Sequence, residues 1–444
     1  MTDHDVIAVG LGPFNLGLAA LLDGVPELDA VVFEQREAFA WHPGLMLGDS
    51  EVQVPFLADL VTLADPTSPH SFLNYLHERG RLYRFYFYER LHLLRREFDA
   101  YCRWVAERLP SVRFRHQVSA IEPLRDGGWS VLVDGPAGPV RHTARHIVLG
   151  VGGVPFVPSC AVPHLGTTVL HSADFLTHRE QLQAASSVTV IGSGQSAAEI
   201  FCDLLEADTD TRLDWFTRSR GFLPMEYSKL GLEHFTPEYT KFFHGLPAER
   251  RDELRAGQDL LYKGISMETS ERIYDALYAR TVETDELPVQ YRSACEVVAL
   301  SPGSGGPGKR WRLRLRHRDE DAEFDHHADA VVFATGYRDA PLPIAHAETL
   351  VALDEHGRPG IDLEYRVQLR DGTPSTLFVQ NAELHTHGVG TPDLGLGAHR
   401  NAVIINTILG QERYAVRERN VFQHFGAPPE AHADAGTGRP GQAA

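Results

Sequence analysis

One pattern occurs twice along the chain: a short unbroken apolar run, a glycine-rich break, then apolar residues at helical spacing. Ser187 to Ile191 reads as a buried strand, Gly192-Ser193-Gly194 as a tight turn, and Gln195 to Leu205 as a helix. Near the N-terminus, Asp5 to Val9 reads as a strand and Leu16 to Leu22 as an apolar helix. Gly10-Leu11-Gly12-Pro13-Phe14-Asn15 lies between them. In such a turn the first glycine lets the chain reverse and the second lets a pyrophosphate approach. A small residue, Ala197 in the second copy, lets the helix pack on the strand. The helix N-terminus then offers N–H donors and the positive end of its dipole to phosphate. Asn15 replaces the third glycine in the first copy.

The two copies part at the end of their next strand. The strand Ala30 to Phe33 ends in Glu34, about 20 residues past its turn, where a carboxylate accepts the hydroxyls of an adenosine ribose. The strand Leu213 to Phe216 ends in Thr217-Arg218-Ser219-Arg220. Arginines there suit the 2′-phosphate of NADPH, which a carboxylate would repel. Two such modules in one chain predict a flavoenzyme supplied by a nicotinamide cofactor. The expected fold class is α/β, with two Rossmann-like dinucleotide-binding domains, for FAD and NADPH, and a smaller, mostly helical substrate-binding region.

The remaining segments fill in around these modules. Residues 38–69 are rich in Trp, His, Pro and Phe and read as irregular backbone lining a ligand; residues 70–109 read as helical. Strands are expected at Val112–His116, Val118–Ile121, Trp129–Val133 and His146–Leu149. Residues 222–290 read as a Tyr-rich helical insertion over the substrate, and Ser301 to Lys309 as a hairpin loop. Asp329 to Phe333 is a buried strand ending in Ala334-Thr335-Gly336-Tyr337. Asp393-Leu394-Gly395-Leu396-Gly397 opens a last helix, whose N-terminus suits the edge of a flavin that gathers negative charge on reduction. The expected domains are 1–184 and 325–425 for FAD, 185–221 and 291–324 for NADPH, and 222–290 for substrate, with a disordered tail over 426–444.

Composition narrows the function class. The chain has 444 residues, 43% of them hydrophobic, enough for a large core. A net charge of −18 argues against nucleic acid and anionic membranes as partners. No apolar run is long enough to span a bilayer, and the chain enters its first strand without a basic leader, so a cytoplasmic enzyme is expected. Cys102, Cys160, Cys202 and Cys295 are scattered and read as free thiols, which removes the redox-active pair of a disulfide reductase. His385 and His387 form an isolated pair with no further ligands nearby in sequence, and no metal is expected.

Taken together, Gly10-x-Gly12-Pro13-x-Asn15, Trp41-His42-Pro43-Gly44, Gln53 with Phe56 and Asp59-Leu60, Gly192-Ser-Gly194-Gln195-Ser196-Ala197 and Asp329-x-x-x-Phe333-Ala-Thr-Gly336-Tyr337 resemble the flavin-dependent N-hydroxylating monooxygenases. These enzymes make hydroxylamines from ornithine, lysine or diamines for hydroxamate siderophores. The resemblance covers residues 4 to about 415, and Asn15 is the residue this family has at its position. It implies reduction of FAD by NADPH, addition of O2 as a C4a-hydroperoxyflavin, and transfer of oxygen to a neutral amine nitrogen. No side-chain nucleophile or acid/base residue is needed; Gln53 and Lys263 would support the reaction. Glu34, Gln35, Trp41, His42 and Gln53 would contact FAD, with Val118 against the adenine and Asp393, Leu394, Gly395 and Leu396 along the flavin. Ser193, Gln195, Ser196, Arg218, Arg220, Thr335, Gly336 and Tyr337 would serve NADPH.

The resemblance also exposes departures. Members that accept amino acids have a Lys where this chain has Ala58. Ornithine enzymes have an Asn where it has Leu232 and a Ser where it has Gly397. All three remove polar groups that would greet an amino-acid head. The expected substrate is therefore putrescine or cadaverine, with lysine or ornithine as the alternative and a non-catalytic redox sensor as a distant one. Glu233 is the candidate to meet the distal amine, and Lys263 the candidate to rebuild a carboxylate clamp. A homo-oligomer, dimer or tetramer, is expected.

Overall fold

The computed structural model describes residues 2–48, 50–207, 209–282, 284, 286–370 and 375–428. The part of the expected disordered tail from residue 429 onward lies outside them. Two sheets carry the two repeated patterns. The first runs in the order Val112–Phe114, Ala30–Glu34, His4–Val9, Gly138–Leu149, Trp129–Gly135, Gln117–Pro123, and Thr376–Val379 also pairs with Gly138–Leu149. Its dinucleotide half is parallel: Val6 to Val9 pair with Ala30 to Phe33 on one side and with His146 to Leu149 on the other. Val6, Ile7, Val148 and Leu149 are fully covered because sheet faces with helices or strands on both sides need near-continuous apolar runs.

The second sheet is parallel throughout, in the order Val169–His171, Ala330–Phe333, Ser187–Ile191, Arg212–Phe216, Val289–Arg292. This corrects the expected domain limits. Val169–His171 falls inside the stretch expected to hold FAD, yet it pairs with Ala330–Phe333. Ala330–Phe333 itself belongs to the expected returning FAD segment, yet it sits between two strands of the nicotinamide module. Apolar runs of this kind say that a strand is buried on both faces but not in which sheet. Long-range pairing decides it: Val331 and Phe333 are buried against the second sheet's core. A three-stranded antiparallel meander, Cys295–Pro302, Trp311–His317 and Ala322–Ala328, comes after the fifth strand, with the Gly/Pro loop at its first turn as expected.

Residues 222–290 contain the helices Pro237–His244, Ala248–Gly257 and Met267–Arg280, so the insertion is mostly helical. Residues 70–109 are less regular than their composition suggests. Helices Phe72–Glu78, Leu82–Tyr88 and Arg95–Ala106 are interrupted by His92–Leu94, which pairs antiparallel with Glu51–Pro55. That pairing also makes a strand inside the stretch expected to be irregular. No described helix is long and apolar enough to cross a membrane.

Candidate functional site

The C-terminal ends of the parallel strands of both sheets open into one cavity of about 1790 Å³, the position in which such sheets bind ligands. Val9, Gly10, Gly12, Glu34 and Gly150 line it from the first sheet, and Ile191, Gly192, Gly194, Thr217 and Ala334 from the second. At the N-terminal turn, Gly10 has φ +84°, and a Cβ there would lie 2.6 Å from the carbonyl oxygen of Gly150. Gly12 is different: a Cβ on it would meet nothing within 4 Å. The space over Gly12 is therefore open, as an approaching pyrophosphate requires. Asn15 is fully buried and works within the turn. Its amide donates to the carbonyls of Val9 (3.1 Å) and Gly10 (2.8 Å), and its oxygen accepts from Gln380 at 2.7 Å. It shapes the cradle, and the hydrogen bonds of its side chain go to the protein.

Glu34 lines the cavity at the end of its strand, and its carboxylate accepts the N–H groups of Leu11 (2.7 Å) and Arg36 (2.8 Å). Gln35 and Val118 lie on the same wall. Trp41 is held by its N–H to Asp99 (2.8 Å) and by an edge-on contact with Phe98. His42, left-handed at φ 46°, lines the cavity. Burial, aided by the charges of Arg95 and Arg36, brings its pKa down to about 4, so it is neutral at pH 7. Gln53 lines the cavity, and its amide nitrogen is buried with no hydrogen-bond partner among the described residues. A buried donor left unpaired costs about 1–3 kcal/mol, so this one is suited to a carbonyl or ring nitrogen of a bound group.

The nicotinamide half divides its expected contacts. Ser193 bonds Ser219 at 2.9 Å. Ser196, Thr335, Gly336 and Tyr337 line the cavity. Thr335 is tied to the carbonyl of Phe156, and that of Gly336 to His171 at 3.0 Å. Arg218 is exposed and has no ion pair among the described residues; Arg220 is paired with Asp319 at 3.3 Å. Gln195 is occupied differently from the expectation. Its oxygen accepts from Ser266 N–H at 2.7 Å, and its nitrogen reaches Glu199 and Thr269, each at 2.9 Å. Glu199 in turn receives both arms of the Arg95 guanidinium, at 2.7 and 2.8 Å. Arg95, Glu199, Gln195 and Ser266 thus join all three regions of the molecule. Nothing local marks Arg95 for this role, because its partner is 104 residues away. Lys263 lies against the second turn, its carbonyl oxygen 3.3 Å from a Cβ on Gly194, and its ammonium is paired with Asp259 at 2.7 Å. Burial pulls that ammonium's pKa down, but Asp259 and Tyr262 outweigh it and hold it above its usual range.

The residues expected to face the substrate split into two groups. Ala58 is buried, and it and Asp393 both flank Gly395: a Cβ on Gly395 would lie 3.8 Å from Ala58 Cβ and 2.8 Å from Asp393 Oδ1. Asp393 caps the Leu394–Leu396 turn by accepting Gly395 N–H at 2.7 Å, and it has no ion pair among the described residues. Burial pushes its carboxyl up to about 6, against the Gly395 N–H and the charge of Arg400. Tyr227, whose phenol is raised by burial and by the charge of Asp393, comes from the helical region and bonds His92 at 2.8 Å. Gly397 packs on Phe14, 3.1 Å from where its Cβ would be, so a larger residue would press on that ring. Leu232 lies in the short turn Gly231–His234. Glu233, next to it, does not wait for an amine: its carboxylate accepts the N–H groups of Phe422 (3.2 Å) and Gln423 (2.8 Å). His385 and His387 also diverge, one to the carbonyl of Pro359 at 2.7 Å, the other stacked on Tyr365.

With this geometry in view, the likeness to known proteins is specific. Residues 2–339 match the model of the L-lysine 6-monooxygenase/L-ornithine 5-monooxygenase family. The chain is 45% identical to the rhizobactin siderophore biosynthesis protein RhbE of Rhizobium meliloti, covering 96% of each. It is 39% identical to the putrescine N-hydroxylase of Shewanella oneidensis, over 96% of this chain and 84% of that one. Among solved structures it superposes with a TM-score of 0.91 on FAD-bound DfoA, the cadaverine monooxygenase of desferrioxamine biosynthesis in Erwinia amylovora. The two are 39% identical over 96% of this chain and 99% of that one. A cavity shared by two dinucleotide turns, matched along nearly the whole chain, leaves one conclusion: this protein belongs to the lysine/ornithine monooxygenase family and is a flavin-dependent N-hydroxylating monooxygenase.

Proposed function

We propose that the protein binds FAD and NADPH and hydroxylates a terminal primary amine of putrescine or cadaverine with O2, in hydroxamate siderophore biosynthesis. The residues present fit both cofactors. On one side there is open space over Gly12 and an unpaired Gln53 amide; on the other, an Arg218 guanidinium without an ion pair among the described residues. Bound FAD, reduced by NADPH, supplies the activation of O2. The chain's part is to hold both nucleotides, cover the reacting centre and present a neutral amine nitrogen. The exposed Tyr83, Tyr86 and Phe87 of helix Leu82–Tyr88 support a homo-oligomer, which light scattering of the purified protein checks. The need for NADPH and a siderophore precursor supports a cytoplasmic setting.

The observation that carries the choice of amine is that Ala58, and no lysine, stands with the Asp393 carboxylate around Gly395. An amino acid would bring its own carboxylate there, with no lysine at position 58 to meet it and the nearby Arg400 already paired with Glu383 at 3.1 Å. Burying an unpaired charge costs several kcal/mol, roughly, even after relaxation. Lys263, the residue that would rebuild a clamp, is committed to Asp259 beside the nicotinamide turn. A diamine instead brings an ammonium to a carboxylate that feels Arg400 only at longer range and makes no ion pair among the described residues. The likeness to the Shewanella and Erwinia enzymes points the same way.

Steady-state kinetics on putrescine, cadaverine, lysine and ornithine test this, with butylamine and pentylamine as partners lacking the second charge. Both diamines should exceed both amino acids. Asp393→Asn keeps the cap on Gly395 but removes the charge, so the diamine-to-monoamine ratio of kcat/KM should fall by about tenfold. That ratio should also fall as pH drops through about 6, because a carboxyl with a raised pKa carries its charge only above it. Taking the ratio cancels the pH dependence common to every amine that must react unprotonated. A preference for lysine over both diamines would overturn the assignment.

A further inference from the structure

Glu233 and Glu238 use their carboxylates in the same way. Glu238 accepts Asn420 N–H and, at 3.3 Å, Val421 N–H, and Asn420 adds its side-chain amide at 3.2 Å. Glu233 accepts the next two N–H groups, those of Phe422 and Gln423. Four consecutive main-chain donors near the end of the chain therefore land on two acids that stand five residues apart in sequence. Two residues further on, Phe425 enters a cage of rings: His234 at 5.5 Å, Tyr239 at 5.0 Å and Phe242 at 6.2 Å. A segment in neither helix nor strand has no ladder to satisfy its N–H groups, and carboxylates make the stronger, charge-assisted kind of hydrogen bond. Glu238 is held below the usual carboxylate range: partial burial opposes this, and the donors from Asn420 and Val421 outweigh it.

This segment grips the wall next to the candidate amine site. The Gly231–His234 turn carries Leu232, and the adjoining Phe235 has its Cα 3.9 Å from where a Cβ on Gly390 would be. Phe243, from helix Pro237–His244, lies 3.1 Å from the Cβ position of Gly388. Tyr239, Phe243 and Val389 form one buried apolar cluster, and Phe425 packs on its edge. The order of contact is thus segment, wall, then the 388–396 turn that holds Asp393.

We propose that residues 420–425 form a strap that fixes the substrate-facing wall, with Glu233, Glu238 and Phe425 acting as positioning residues for the amine. The proposal rests on the reading of residues 222–290 as the substrate region. It replaces the direct amine contact expected of Glu233 with an indirect role. Removing a charged acceptor or the anchoring ring should let the wall move without touching either nucleotide turn.

The test uses the full-length, FAD-loaded enzyme and its Phe425→Ala and Glu233→Gln variants. Hydrogen–deuterium exchange is measured over residues 231–243, together with KM for the amine, KM for NADPH, the fraction of NADPH lost as H2O2, and Tm. Phe425→Ala should speed exchange over 231–243 and raise the amine KM by about three- to tenfold, with more H2O2. KM for NADPH should stay within about twofold, because the strap's contacts named above are with the wall and not with the second turn. Glu233→Gln, which keeps one acceptor, should show the same pattern more weakly. Faster exchange with an unchanged amine KM overturns the proposal, as does a parallel rise in both KM values with a lowered Tm, which marks a merely structural role. Unchanged exchange in both variants also overturns it. The amine is whichever one the parent enzyme turns over fastest, so an error in the proposed substrate shows in the parent and leaves the strap decided on its own readouts.

Discussion

The two dinucleotide turns begin alike and finish differently. Both have a first glycine that no other residue replaces: Gly10 at φ +84° and Gly192 at φ +147°, where a Cβ would lie 2.2 Å from the carbonyl of Ala334. Their second glycines differ. Gly12 faces open space, whereas Gly194 has the Lys263 carbonyl within 3.3 Å of a Cβ position. Their strand ends differ more. Glu34 is nearly buried and its carboxylate already braces the turn through Leu11 N–H. Arg218 is exposed and unpaired among the described residues. The first turn is a prebuilt cradle suited to a group that stays; the second offers an available, exposed cation, suited to a group that comes and goes. The shared motif gives the turn its shape, and the neighbours decide what it holds and how tightly.

The largest effect should come from filling the open cradle. A valine at position 12 meets no protein atom at its Cβ, so Gly12→Val should fold, with unchanged far-UV circular dichroism, yet purify without the flavin absorbance band. A yellow, active Gly12→Val enzyme would break the comparison, because the first turn would then hold nothing that needs that space.

Next is the cation at the second turn. A hydrogen bond to a charged group is worth about 1.5–3 kcal/mol, and solvent screening at an exposed site keeps the value near the low end. Arg218→Ala should therefore lower kcat/KM for NADPH about tenfold and leave NADH nearly unchanged. Equal losses for both cofactors would mean that Arg218 does not read the 2′-phosphate.

How much of this is legible in the sequence depends on the range of the information. Both turns, and the places of Glu34 and Arg218 at the cavity, are readable because each motif is continuous in sequence. The placement of Ala330–Phe333 in the second sheet is not, since a buried apolar strand looks the same in either sheet. Gln195 reads as a nucleotide contact because it stands in the motif. The structure spends it on Glu199 of its own helix and on Ser266 and Thr269 of the helical insertion, 71 and 74 residues on. Glu233 takes its expected role from its neighbour in sequence, whereas its partners come from the far C-terminal end, 189 and 190 residues away. Ala58 is informative for what it lacks, and that reading needs Asp393 around the same Gly395 to acquire a physical meaning.

The smallest effect, and the sharpest probe of the second turn, concerns Arg220. It stands two residues from Arg218 and carries the same charge, so the sequence offers both for the 2′-phosphate. The structure distinguishes them, because Arg220 is 87% exposed along its side chain and already paired with Asp319. An exposed pair of this kind contributes about 0–1 kcal/mol. To reach a phosphate, Arg220 would have to give up Asp319 and order a long, well-hydrated side chain, so its net gain on binding is small. Arg220→Ala should therefore lower kcat/KM for NADPH by no more than about threefold, with the change shrinking as salt is raised from low to physiological levels. Asp319→Ala should do the reverse: it frees a second guanidinium beside the first and should raise the NADPH-to-NADH preference at low salt. If Arg220→Ala instead matched the loss of Arg218→Ala, the Asp319 pair would have to open whenever NADPH binds, and the second turn would rearrange on binding where the first does not.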